Sequence, residues 1–370
     1  MKRNFENVTK IVVKVGTSVI TKQDGTLDDR CMQDVARQCC AIMKEGRRVT
    51  VVTSGAIGSG VKELGLKELP RDIPTRQGAA AVGQSILMEE WRKSFRKFGS
   101  RVAQILLTYE AFSNRRTYVN LRNSMTVLTK RGTVPIINEN DPISVHEIEA
   151  TFGDNDKLSA LIAANTDADL LILLTDVDGL YDKDPRHKGA RLIRYVTGVS
   201  PSIERVAGEA SSWRTKGGMK AKIEAAKIVT KSNCSMIIAN AREKDVLTRV
   251  LNGEEIGTLF IPRKAGYTNR ERWIRFSKSH GTIAIDGRAK DALVGGASLL
   301  ASGIRKVEGE FDSGCIVSLV HWGHEIARGI VEYSSEELNK IKGRRTDQIE
   351  AILGYKSSDS AINEGNIVLS

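Results

Sequence analysis

Apolar runs that break off into glycine, hydroxyl, amide or carboxylate residues recur along the first two thirds of the chain, and each predicts a buried strand with a polar carboxyl end. IVVKVGTSVI (residues 11–20) is the first, closing in a tight turn at Gly16, Thr17 and Ser18. RRVTVVTSGAIGSG carries the second into Ser54, Gly55 and Ala56. RVAQILLTY follows, then PII running into Asn138, Glu139, Asn140 and Asp141, then LLILLT ending at Thr175 and Asp176. Helical periodicity fills the gaps: Asp28 to Glu45, TRQGAAAVGQSILMEEWRKSF, YVNLRNSMTVLTKRG, GDNDKLSALIAA and KGGMKAKIEAAKIVTKSN. Strands alternating with helices predict a three-layer α/β domain with a mainly parallel sheet over residues 1–262. Ligands of such sheets bind outside the carboxyl ends of the strands, so the polar strand ends are the candidate site.

The pattern changes after TLFIPRK. AGYTNRERWIRFSK predicts a basic linker, residues 263–278, and residues 279–370 hold short alternating runs such as GTIAIDGRA, GEFDSGCIVSLV and EIARGIVEY between glycines. These predict a small closed β structure.

The chemistry concentrates in three places. Lys14 interrupts the first apolar run; buried, it needs an anionic partner, and the Gly-Thr-Ser turn beyond it offers N–H groups to a phosphate. An edge-strand lysine reaching out to water is the alternative. The stretch from Pro135 to Ala164 gathers the amides and acids, with Asp154, Asn155 and Asp156 opening a helix; a helix cap and a turn are the structural alternative. Lys220 and Lys222 follow a Lys-Gly-Gly loop, which favours a phosphate role for Lys222 over a solvated helix face. Neither glycine stretch matches a Walker loop or the dinucleotide fingerprint, and protein-kinase signatures are absent. Gly78 and Gly83 read as packing positions.

Composition narrows the class. The 370 residues, 41% apolar, are enough for two soluble domains. Cys31, Cys39, Cys40, Cys234 and Cys315 show no CxxC spacing and suit reduced thiols in a cytosol. His321 and His324 are spaced wrongly for one helical face, and no metal site is predicted. Lys14 breaks the amino-terminal apolar run, so a signal peptide is not expected, and no run is long enough to span a membrane. The net charge is +11, but residues 263 onward hold 16 basic and 14 acidic side chains, leaving +9 in the first 262. Anionic small molecules explain that distribution as well as nucleic acid does.

Taken together, IVVKVGTSVI, VVTSGAI, QGAAAVGQ, PIINEND, FGDNDKLSA, ILLTDVDGLY and KGGMKAK resemble, in order, the amino acid kinase superfamily and within it the glutamate 5-kinases. GASLLASGIRKVEG and the β-like runs around it resemble a PUA domain, which many glutamate 5-kinases carry at the carboxyl end. The resemblance implies transfer of the ATP γ-phosphoryl group to the γ-carboxylate of L-glutamate, the first step of proline biosynthesis, with Mg²⁺ on ATP and proline as inhibitor at the glutamate site. It implies catalytic roles for Lys14 and Lys222. Ser54, Asn138, Asp141, Asn155 and Asp156 fall in the motifs that bind glutamate. Lys14, Gly16, Thr175 and Asp176 fall at ATP positions, as do Lys216, Gly217, Gly218, Met219, Lys220, Ala221 and Lys222. Lys216 departs from the family, which usually has a small residue there. The loop between Asp141 and Gly153 is the candidate for proline control. A cytoplasmic homo-oligomer, dimer or tetramer, is implied, with possible hand-over of product to glutamate-5-semialdehyde dehydrogenase. RNA binding is not expected despite the PUA resemblance, because residues 263 onward are nearly neutral and lack a stacking pattern. A family member with another acceptor and an RNA-binding scaffold are the competing functions.

Overall fold

The computed structural model describes residues 3–22, 25–144, 155–210, 218–262 and 268–370. Among them, strands β1 (Lys10–Val15), β2 (Arg48–Val52), β3 (Arg101–Leu107), β4 (Thr133–Glu139), β5 (Leu170–Thr175), β6 (Tyr195–Thr197), β7 (Ser235–Asn240) and β8 (Thr258–Ile261) form one sheet. Its order is β3-β4-β2-β1-β5-β7-β8-β6. From β3 to β7 every pairing is parallel; β8 runs antiparallel to β7, and β6 pairs parallel with β8. The helices between these strands in chain order are α1 (Thr17–Ile20), α2 (Asp29–Lys44), α3 (Ala56–Glu63), α4 (Ile73–Arg96), α5 (Glu110–Ser113), α6 (Arg115–Lys130), α7 (Asn155–Thr166), α8 (Pro201–Ala210), α9 (Gly218–Lys231) and α10 (Val246–Leu251).

The central strands are buried on both faces, as the helix–sheet–helix layering requires. Ile11, Val13 and Val15 join Met32, Val35 and Cys39 of α2, Leu87, Trp91 and Phe95 of α4, and Val246 and Val250 of α10 in one core. Alternation puts Val12 and Lys14 on the other face, the one that α7 covers. Local signals set the helix starts: Asp28 caps α2 by accepting from the Cys31 N–H, and Asp72 caps α4 by accepting from Thr75. The first strand is shorter than its apolar pattern suggests. It stops at Val15, and Thr17–Ile20 turns helical, because the Gly16 carbonyl accepts from Val19 and Ile20 while Ile20 is buried.

Two compact units divide the chain: Met1–Tyr109 with Val119–Tyr267, and Glu110–Tyr118 with Thr268–Ser370. The second unit therefore borrows a short segment from the middle of the chain, which a reading of the first unit as an unbroken 1–262 did not foresee. The expected linker is also corrected. Residues 269–276 form α11 (Asn269–Phe276), started by a Thr268/Glu271 capping box, and bury Trp273 and Ile274 within the second unit. Strands β9 (Thr282–Ile285), β10 (Ile304–Glu308), β11 (Ile316–His321), β12 (His324–Ile330) and β13 (Ile367–Leu369) pair in the order β10-β9-β11-β12-β13 around their own apolar core. His321 and His324 stand opposite each other in the β11–β12 hairpin. The five cysteines are free thiols. No helix among the described residues is long and apolar enough to cross a membrane.

In the first unit α3 and α4 touch backbone to backbone. A Cβ built on Gly60 would lie 1.8 Å from the Ala79 carbonyl oxygen, and one on Gly83 1.8 Å from that of Ala56. Gly83 is thus a packing position, as expected, whereas a Cβ on Gly78 meets nothing within 4 Å. Gly60, which ends the glycine stretch GAIGSG, serves the same helix contact. Gly60→Ala or Gly83→Ala should force the helices apart and destabilise the first unit by about 1–3 kcal/mol or more, the range of core overpacking, whereas Gly78→Ala should not. Urea denaturation followed by circular dichroism checks this.

Candidate active site

Lys14 is the fifth of six residues of β1, a strand flanked by β2 and β5, so it has no edge from which to reach water. It is 5% exposed, and its ammonium lies 2.6 Å from Asp156 Oδ1. Lys222, from the second turn of α9, meets Oδ2 of the same carboxylate at 2.9 Å. Asp156, second residue of α7, is completely buried. One carboxylate therefore fixes the spacing of two ammonium groups drawn from a strand and a separate helix. Taking these charges out of water is costly, and mutual pairing offsets part of that cost.

The residue before Asp156 organises the other half. Asn155 Nδ2 donates to the Thr53 carbonyl at 2.5 Å, to Asn138 Oδ1 at 2.8 Å and to Ser54 Oγ at 3.2 Å. Asn138 Nδ2 in turn donates to Gln84 Oε1 at 2.8 Å. Ser54, Asn138 and Asn155 are thus gathered at the carboxyl ends of β2 and β4, all nearly inaccessible. Asp141 is buried in the turn after β4. Glu139 accepts from the Ser144 hydroxyl through one oxygen; its other oxygen is buried without a partner among the described residues. Gln84 is the site residue that sequence reasoning left unassigned. Its motif was noted, but helical periodicity cannot say that a polar residue on α4 reaches the end of β4.

On the far side of β1, Gly16 donates its N–H to the Leu174 carbonyl at 3.3 Å. Thr175 ends β5, buried, its hydroxyl donating to Asp176 Oδ1 at 3.1 Å, and Asp176 is exposed. Beyond them Asn240 Nδ2 donates to Asp178 Oδ1 at 2.8 Å, linking the ends of β5 and β7. A cavity of about 400 Å³ opens there, lined by Asp178, Tyr181, Asn240, Arg194 and Glu255 among others. Gly218 begins α9; Met219 and Ala221 are half-buried. Lys220 is exposed and does not join the Lys14–Asp156–Lys222 cluster, because two residues along a helix turn a side chain by about 200°. Asp154, Lys216 and Gly217 lie outside the described residues, as does most of the 141–153 loop. Among the described residues no three His, Cys, Asp or Glu side chains converge as a metal-holding group.

The chain matches the amino acid kinase family over residues 9–240 and the PUA domain over residues 281–353. It is similar to the glutamate 5-kinase of Methanococcoides burtonii, 51% identical over 369 residues that cover 100% of this chain and 98% of that one. The glutamate 5-kinase of Methanosarcina barkeri is 52% identical over 371 residues, covering 98% and 97%. Among solved structures, the product complex of T. acidophilum isopentenyl phosphate kinase shares the fold of the first unit, with a TM-score of 0.50 at 21% identity, covering 68% of this chain and 100% of that one.

The shared carboxylate makes a stability claim independent of activity. Asp156→Asn leaves the buried Lys14 ammonium and the half-buried Lys222 ammonium without their common anion and should cost about 3–5 kcal/mol. Adding Lys222→Met to that variant should return part of the loss, because it removes one of the stranded charges. Chemical denaturation of the single and double variants measures both effects.

Proposed function

The chain belongs to the glutamate 5-kinase family of amino acid kinases, and from that membership we propose that it transfers the γ-phosphoryl group of MgATP to the side-chain carboxylate of L-glutamate, giving γ-glutamyl phosphate and ADP. The observation that carries this reading is the pair of lysines held on one buried carboxylate at the carboxyl edge of a parallel sheet. A carboxylate acceptor is already ionised at neutral pH, so no general base is required. One of its oxygens forms the new bond to phosphorus as the bond to the β,γ-bridging oxygen breaks, and the bridging oxygen leaves on ADP. Positioning and charge neutralisation then carry the rate. Lys14, from the sheet, and Lys222, from α9, supply the charge from two sides. Magnesium enters as part of the substrate, on the nucleotide phosphates, where it needs few protein carboxylates.

The acceptor lies over Ser54, Asn138, Asp141, Asn155 and Asp156, which supply the acid, amide and hydroxyl groups that an amino acid with two carboxylates requires. The nucleotide lies on the other side of β1, over Gly16, Thr175, Asp176 and the 216–222 segment. The cavity beside Asp178 and Tyr181 gives its base room. In this reading proline competes at the acceptor pocket, the loop after Asp141 governs that competition, and the product is a labile acyl phosphate that a reductase must take up promptly.

Incubation with MgATP and L-glutamate, with hydroxylamine to trap the acyl phosphate, should give a glutamate-dependent hydroxamate, and aspartate or N-acetylglutamate should not replace glutamate. Absence of turnover with glutamate would overturn the reading. Lys14→Ala and Lys222→Ala should each lower kcat by on the order of 10²–10³, as loss of a preorganised charge partner does, while the protein stays folded. Rewriting residues 144–151 should weaken inhibition by proline more than it changes the KM for glutamate, as steady-state titration would show.

A further inference from the structure

Gln84, Asn138 and Asn155 form a chain of three side-chain amides that crosses the carboxyl edge of the sheet from the α7 side to the α4 side. An amide has a donor end and an acceptor end, so a chain joined donor to acceptor has a direction. Here the direction is fixed by the backbone. The Thr53 carbonyl can only accept, so Asn155 must turn Nδ2 toward it, at 2.5 Å. The same Nδ2 donates to Asn138 Oδ1, Asn138 then turns Nδ2 outward, and Gln84 must accept it through Oε1. Two ends are left over: Gln84 Nε2, a donor, and Asn155 Oδ1, an acceptor. Both are buried and without a partner among the described residues, on side chains that are 7% and 3% exposed.

Unpaired buried polar atoms are uncommon because each carries a desolvation penalty. An L-amino acid brings the complementary pair, an anionic carboxylate beside a cationic ammonium. We infer that Gln84 is a specificity residue of the acceptor site, its Nε2 donating to the α-carboxylate of the amino acid, while Asn155 Oδ1 accepts from the α-ammonium. Strand order assigns the ends. Lys14, which faces the reacting carboxylate, stands on β1 with Lys222 reaching the same Asp156 from α9, whereas the amide chain runs from the end of β2 to β4 and on to α4, so Gln84 serves the end of the substrate remote from phosphoryl transfer. Gly83, pressed against the Ala56 carbonyl, sets how far the next residue can reach. This inference rests on the glutamate reading above.

Gln84→Glu retains an acceptor for Asn138 but replaces the free donor with a negative oxygen. The test compares L-glutamate with L-isoglutamine, in which the α-carboxylate is a carboxamide and the reacting carboxylate is unchanged. Each is assayed as acceptor, and isoglutamine also as a competitor against glutamate. The unaltered enzyme should prefer glutamate, and Gln84→Glu should lower the glutamate-to-isoglutamine ratio of kcat/KM, or of affinity by competition, by at least about tenfold, with the KM for ATP unchanged. If Gln84→Glu does not fold, Gln84→Met in the same comparison should also reduce the ratio. An equal loss for both acceptors, or an unchanged ratio, would overturn the inference and leave the glutamate reading standing. Failure of the unaltered enzyme to use glutamate would overturn both.

Discussion

A single carboxylate holds the first unit's chemistry in place. Asp156 is completely buried, and its two oxygens each meet an ammonium, one from the middle of a parallel sheet and one from a helix 66 residues further along the chain. Each of the three groups would be costly to hold there alone, because a buried charge that loses its partner takes a large share of an ordinary fold's stability. The arrangement therefore exists only when β1, α7 and α9 are all seated. Folding of the unit and the pairing of both lysines on Asp156 are one event, so the spacing of the two cations is set by the fold itself.

Why this happens at the carboxyl edge follows from the layers. Strands β1 and β5 are apolar on both faces, so the interior can accept a lysine only at the end of a strand, where the next element can bring a partner. Parallel strands put all their carboxyl ends on one side, and β4, β2, β1 and β5 are neighbours there. The far face of the sheet is closed by α2, α4 and α10 with apolar side chains, which leaves the polar groups to the edge.

Much of this was legible because it is local. Asp28 and the helix behind it, the strand ends at Asn138 and Thr175, and the oddness of a lysine inside IVVKV all declare themselves within a few residues. What could not be read was partnership at a distance. Sequence shows that Lys14 needs an anion and that Lys222 is a second cation, but nothing in their spacing says that they share Asp156, which reads instead as one of several acids in a helix start. Gln84 was hidden for the same reason, since its contact lies 54 residues away. Gly60 looked like a loop glycine because the helix it packs against is visible only in three dimensions. The stretch 269–276 looked like a linker because its polar and charged residues outnumber its apolar ones; its buried Trp273 and Ile274 decide otherwise.

The tightest economy of the site lies in two consecutive residues. Successive positions on a helix point about 100° apart, so Asn155 and Asp156, on the first turn of one helix, face different neighbours without any loop between them. Asp156 faces β1 and α9, where the lysines are; Asn155 faces β2 and β4, where the amides are. Adjacent strands in a sheet are about 4.8 Å apart, close to the span of a five-carbon dicarboxylate from its reacting end to its amino acid end. In the proposed glutamate reading, one helix start would then set both the distance over which the acceptor is recognised and the point at which it is phosphorylated. Moving that helix by a single residue would place an amide among the lysines and a carboxylate among the amides, so the register of α7 decides which polar group meets which partners.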